Sequence, residues 1–195
     1  MKAYKDFVIS PIGDRYNNSK KVDDKELILN TEIYNHQFVN RLAKVIATPL
    51  FFQSPINVGD EVIVHHNVFR RWHDVKGRER NSRSYLNDNK YLVSEDQIYL
   101  YNKEGWKAMP GFSLIKPLIS KDKFSFDNER PSIGVVKYTD GKFKKEELVG
   151  FRPGIECEDF INGERLYRVL NKFITIKYEY QGNEEEYNPS WAQGS

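Results

Sequence analysis

The sequence predicts an all-β protein built as two related modules in tandem, and three observations predict it. Short runs rich in valine, isoleucine, tyrosine and phenylalanine recur between turn residues, which is the punctuation of strands. Alanine is scarce while aromatic residues make up 14% of the chain, a balance that favours strands over long helices. A second series of apolar runs then repeats the order of the first after roughly 100 residues, the size at which a module closes a core of its own.

The first series reads as strands at Phe7 to Ile12, Arg41 to Ile46, Glu61 to Val64, Tyr91 to Val93 and Ile98 to Tyr101. Val58-Gly59 precedes the Glu61 run, and glycine there accepts the positive φ of a tight turn, so a strand begins just after it. The second series runs Phe112 to Pro117, Ser132 to Tyr138, Gly154 to Phe160, Tyr167 to Leu170 and Phe173 to Tyr180. In each half the opening strand ends near a proline, Pro11 or Pro117, and is followed by a polar stretch and a valine-containing strand. The boundary falls between Asn102 and Pro110, with Lys103-Glu104-Gly105 as a hinge. The expected modules are therefore 1–104 and 105–187, with 188–195 as a flexible tail.

The halves differ where function is to be sought. Between its first two strands the first half inserts a long polar stretch, whereas the second half has only Ile119 to Pro131, holding Phe124-Ser125-Phe126. Long irregular loops in compact modules are functional or disordered. Residues 14–30 read as a mobile loop, charged by Arg15, Lys20, Lys21, Asp23, Asp24, Lys25 and Glu26 around one apolar tripeptide, Leu27-Ile28-Leu29. So little apolar surface cannot offset the ordering entropy of the loop, which is expected to order only against a partner. The plainer reading of the tripeptide is a short buried strand; its isolation among charges favours the binding role.

Other chemistry finds few carriers. A formal net charge of +2 does not call for a nucleic acid or an acidic membrane as partner. No stretch approaches the ~20 apolar residues of a membrane span. The single cysteine, Cys157, excludes an internal disulfide, and no signal segment is evident, so a reducing cytoplasm is the expected compartment. Cys157 lies in an apolar run and reads as a core residue. Adjacent His65 and His66 on a strand would face opposite ways, so no metal is expected. No phosphate-cradling loop or nucleophile elbow is present, and the protein is expected to be neither an enzyme nor a cofactor carrier. Arg70, Arg71, Lys76, Arg78, Arg80 and Arg83 surround Trp72 and His73. That pattern suits phosphate and base contacts, but the plainer reading, a solvated hairpin insertion, is the one expected here, without nucleic acid as a partner.

Four blocks carry a resemblance. Phe7-Val8-Ile9-Ser10-Pro11, Arg41-Leu42-Ala43-Lys44-Val45-Ile46-Ala47, Ile56-Asn57-Val58-Gly59-Asp60-Glu61-Val62-Ile63-Val64 and Tyr91-Leu92-Val93-Ser94-Glu95-Asp96-Gln97-Ile98 resemble, in order and spacing, the blocks of GroES-type co-chaperonins. The likeness covers Lys5 to Tyr101 well and Gly111 to Tyr180 loosely. It implies two GroES-like β-barrel modules and a mobile loop whose tripeptide, here Leu27, Ile28 and Leu29, docks on a GroEL-type chaperonin in its nucleotide-bound state. It also implies a homo-oligomeric ring; because only the first module carries the loop, a sevenfold chaperonin is expected to be met by seven chains. The short Thr48 to Pro55 link leaves no room for a roof hairpin, as in phage-type members, which would place the protein in a host cytoplasm. The rival reading is a structural or assembly protein, viral in origin, that uses the same barrel for subunit contacts.

Overall fold

The computed structural model describes residues 2–16, 19–22, 25–28, 38–121, 128–179 and 184–189. The chain divides into two compact units, Met1–Gly105 and Trp106–Ser195. The first holds β1 (Phe7–Pro11), β2 (Ser19–Val22), β3 (Lys25–Ile28), β4 (Leu42–Ala47), β5 (Glu61–Val64), β6 (Arg71–His73), β7 (Glu79–Asn81), β8 (Tyr85–Asn87), β9 (Lys90–Val93) and β10 (Ile98–Asn102). The second holds β11 (Trp106–Ala108), β12 (Phe112–Ile119), β13 (Glu129–Thr139), β14 (Leu148–Phe151), β15 (Cys157–Ile161), β16 (Glu164–Leu170) and β17 (Ile174–Lys177). Among the described residues the only helical pieces are 3-10 turns, so the protein is all-β. None of them is long and apolar enough to cross a membrane.

In the first unit the main sheet runs β10–β5–β4–β1–β9–β8, and in the second β17–β14–β13–β12–β16–β15. Every pairing in both is antiparallel. Neither sheet closes on itself, so the closed barrel expected of each module is not what forms; the sheets are open. The two orders are the same, strand for strand, and so is the register. Ile9 pairs with Val45 and Tyr91, and Ile115 pairs with Val136 and Tyr167. A bulge falls between Val8 and Ile9 and again between Leu114 and Ile115. A second falls between Ile98 and Leu100, paired with Val64 and Ile63, and again between Ile174 and Ile176, paired with Phe151 and Gly150. Bulges bend strands at fixed places, so matching bulges are a stronger sign of a shared backbone than strand order alone.

The turns agree as well. The Gly59 N–H donates to the Val45 carbonyl at 2.8 Å, and the Glu146 N–H donates to the Val136 carbonyl at 2.8 Å. One residue later the side chain closes the turn: Asp60 Oδ2 accepts from the Asn57 N–H at 2.8 Å and Glu147 Oε2 from the Lys144 N–H at 3.0 Å. Short 3-10 turns, Glu95–Gln97 and Asn171–Phe173, precede the last strand of each sheet. Each sheet therefore buries the same five positions: Ile9, Val45, Val62, Val64 and Val93 in the first, Ile115, Val136, Val149, Phe151 and Val169 in the second. Burial of such aliphatic and aromatic side chains, at about 1.5–3 kcal/mol each, is the main force holding each unit.

The second unit has one feature of its own. Residues 185–187 lie along the C-terminal end of β12: the Ile119 N–H donates to the Glu185 carbonyl and the Tyr187 N–H to the Pro117 carbonyl, both at 2.8 Å. Asn188 then reaches inward and accepts, through Oδ1, from the buried Lys116 Nζ at 2.9 Å and from the Arg165 N–H at 3.0 Å.

Two sequence expectations are corrected. Cys157 is exposed, because β15 is the outermost strand of its sheet and pairs on one side only. His65 and His66 do not point apart, since they sit where β5 gives way to a 3-10 turn. Their rings lie 4.2 Å apart, and His65 Nδ1 accepts from the Asn67 N–H at 3.0 Å.

Candidate functional site

Apart from the 185–188 segment of the second unit, the main differences between the two units lie in the first. It makes two additions. Between β1 and β4 the chain passes through residues 12–41, and between β5 and β8 through residues 65–84; the matching connections in the second unit are 120–128 and 152–156.

The first addition begins as a continuation of the sheet. Beyond Pro11, paired with Ala43, the Ile12 N–H donates to the Leu42 carbonyl at 3.0 Å. Asn40 then ties the two chains together, donating from Nδ2 to the carbonyls of Ile12 and Asp14 at 2.7 and 2.8 Å. Its own N–H donates to the Arg15 carbonyl at 2.9 Å, and Tyr16 bridges Val39. Asparagine suits this place because one amide group satisfies two carbonyls that the ladder leaves over. Past this stalk, β2 and β3 form a two-stranded ribbon of their own with Ser19 opposite Ile28, Lys20 opposite Leu27 and Val22 opposite Lys25. The segment expected as an irregular loop thus contains a hairpin. Of the three residues singled out for binding, Leu27 and Ile28 lie on β3, and Leu29 lies outside the described residues, as does Phe124-Ser125-Phe126.

The second addition is the ribbon β6–β7, with Arg71 opposite Asn81, Trp72 opposite Arg80 and His73 opposite Glu79. Its two carboxylates are engaged locally. Asp74 accepts from the N–H groups of Lys76 and Arg78, both at 2.9 Å, and from Arg80 at 3.0 Å. These donors, the Arg78 amide first, hold its carboxyl below the usual range. Glu79 pairs with Arg71 at 3.0 Å.

The two additions share a base. The Arg15 guanidinium donates to the Phe69 carbonyl through Nη2 at 2.8 Å and Nε at 3.2 Å, and to Asn81 Oδ1 at 2.7 Å. The Tyr16 hydroxyl accepts from the Arg71 N–H at 2.8 Å, and the Arg71 guanidinium lies over the Tyr16 ring at 4.7 Å. Arg15 also lies over the Tyr91 ring at 5.5 Å. Burial lowers the pKa of this guanidinium and raises that of the Tyr91 hydroxyl. Sequence reasoning treated Arg15 as one more loop charge; its fork spans more than fifty positions of sequence, and no local pattern marks it.

Beside the ribbon opens a groove of about 470 Å³ whose lining includes Arg70, Trp72, Arg83, Asn67, Ser84 and Gln97 and no carboxylate. Trp72 is 46% exposed, yet its indole N–H donates to the Asn81 carbonyl at 3.2 Å, which holds the ring in place. Among the described residues no group of histidine, cysteine, aspartate or glutamate is arranged to hold a metal ion.

No protein-family model matches the sequence, and no curated protein matches it either.

Proposed function

We propose that the protein is a co-chaperonin of the GroES type, made of two divergent GroES-like modules, that assembles as a ring and caps a GroEL-type chaperonin in its nucleotide-bound state. The observation that carries this reading is the contrast between the two units. On one shared backbone plan both units continue the ladder of their first two strands past the proline, the second as far as Ser120 and Asn128, but among the described residues the first alone sets beyond it a separate two-stranded ribbon bearing Leu27 and Ile28. A two-stranded ribbon is by itself at best marginally stable in water, so the one formed by the described residues gains most of its order when another surface covers it.

Burial of Leu27, Ile28 and Leu29 contributes roughly 4–9 kcal/mol before ordering is subtracted. One such contact is weak. Several presented by a ring bind tightly through effective concentration and still release. Because among the described residues the ribbon belongs to the first unit, a sevenfold chaperonin is met by seven chains in this reading. In this reading the lid hydrolyses nothing and needs no cofactor.

The test mixes the purified chain with a chaperonin, with and without nucleotide, and follows co-migration by size exclusion. Wild type is expected to co-migrate only with nucleotide, and Ile28→Asp is expected to abolish it. Failure of wild type to bind overturns the capping reading and leaves the structural or assembly role. Binding that survives the substitution overturns the assignment of the ribbon.

A further inference from the structure

The groove beside β6–β7 is not used in the capping reading. We propose that it binds a nucleotide unit, with the base stacked on Trp72 and the phosphate held by Arg70 and Arg83. The indole is the anchor. A tryptophan left 46% exposed while its N–H is bonded to Asn81 offers apolar ring surface in a fixed orientation, so little rotamer entropy remains to be lost when a planar ring stacks on it.

Charge selects what kind of ring. Two guanidinium groups line the groove and no carboxylate does; within the ribbon Asp74 and Glu79 pair with Arg80 and Arg71. The small net charge of the whole chain does not weaken this, since a local cluster of one sign sets the field in its own groove. Guanidinium forks match phosphate oxygens, and Asn67, Ser84 and Gln97 add amide and hydroxyl groups of the kind that meet sugar and base edges. The volume, about 470 Å³, lies within the range of small-ligand sites, roughly 300–1,000 Å³. Nothing comparable stands at the matching place in the second unit, where β14 runs on to β15 through residues 152–156.

A nucleotide unit can come from a single strand or from a free nucleotide, and the experiment separates the two. Fluorescence anisotropy on the intact chain at low salt uses a labelled oligothymidylate of about twelve nucleotides and, separately, a fluorescent ATP analogue. At least one probe is expected to bind. Trp72→Ala is expected to weaken binding about 5- to 100-fold, and Trp72→Phe, which keeps a ring, to retain most of it. Arg70→Gln with Arg83→Gln is expected to weaken it about tenfold or more and, for the oligonucleotide, to reduce the log–log salt slope by about 1.5–2. Lys76→Gln with Arg78→Gln removes the same charge from outside the groove and is expected to change little. Preference for the oligonucleotide with a steep salt slope identifies a single strand; equal or better binding of the ATP analogue identifies a free nucleotide. Absence of binding by both probes, or equal losses from the two double variants, overturns the proposal.

Discussion

Arg15 and Phe69, far apart in the chain, are joined by two hydrogen bonds from one guanidinium to one carbonyl, at 2.8 and 3.2 Å. The Phe69 side chain is fully buried, so the bonds tie the stalk of one addition to the core beneath the other. Arg15→Ala is expected to destabilise the first unit by about 1.5–3 kcal/mol, the range for hydrogen bonds to a charged group. Urea denaturation measures this, and limited proteolysis is expected to show faster cutting in both additions together. Faster cutting in one alone would separate them.

The matched turns give a pair of opposite effects. Gly59 has φ +96 and Glu146, its counterpart, has φ +63. A side chain in this region costs about 1–2 kcal/mol, so Gly59→Ala is expected to lose roughly that much. Glu146→Gly relieves the same strain but gives up the Lys137–Glu146 pair at 2.8 Å, a surface contact worth about 0.2–1 kcal/mol. It is expected to stabilise the second unit slightly. A thermal melt in which both glycine-position changes move the same way would contradict the turn equivalence.

Gly134 occupies the place that Ala43 fills in the first unit, each paired with the proline of the opening strand. A Cβ at 134 would stand 2.3 Å from the Lys116 carbonyl and 2.6 Å from Ile115 Cγ2. These neighbours are a backbone carbonyl and a buried core side chain, so they cannot swing aside. Gly134→Ala is expected to cost about 1–3 kcal/mol or more by overpacking, read as a lower denaturation midpoint. A midpoint equal to wild type would show that β12 and β13 separate easily.

Lys116 is buried with 2% exposure, and burial lowers its pKa below the ordinary 10.5 despite Glu164 nearby. Between that lowered value and 10.5 the unfolded chain binds more protons than the folded one, so this site contributes increasing stability as pH rises through the window. Lys116→Met removes the buried charge, and Asn188 Oδ1 keeps its bond from the Arg165 N–H. The variant is expected to match or exceed wild type by up to about 1–4 kcal/mol at neutral pH, with the advantage shrinking as pH rises through the window. A large deficit at neutral pH would show the lysine to be net stabilising.

Much of the strand content is legible in the sequence because β-branched and aromatic runs stand between glycine and proline turns. The Val58-Gly59 turn and the Glu61–Val64 strand are read directly. β14, Leu148–Phe151, is not, since its middle residue is Gly150 and a lysine-glutamate run precedes it. β6, β7 and β8 are short and hold exposed or half-exposed residues, so no alternation marks them. The repeat is visible as an order of runs, but its register is hidden. Matched places hold Gly59 and Glu146, or Ile63 and Gly150, which fill the same backbone position with unlike side chains. At the candidate site the sequence picks out Leu27-Ile28-Leu29 and the basic cluster as separate features. Their common base depends on Arg15 and Tyr16 meeting Phe69 and Arg71, a long-range pairing that propensity cannot reach.

The segment along β12 has a consequence for biosynthesis. The middle strand of the second sheet leaves the ribosome well before residues 185–188, which finish its hydrogen bonding and supply the amide that receives Lys116. Until then the Lys116 ammonium would have Glu164, 3.8 Å away, as its counter-charge but would lack the Asn188 amide. The strands of the first unit are all translated earlier, so that unit is expected to complete its sheet before the second, whose last hydrogen bonds need the strap.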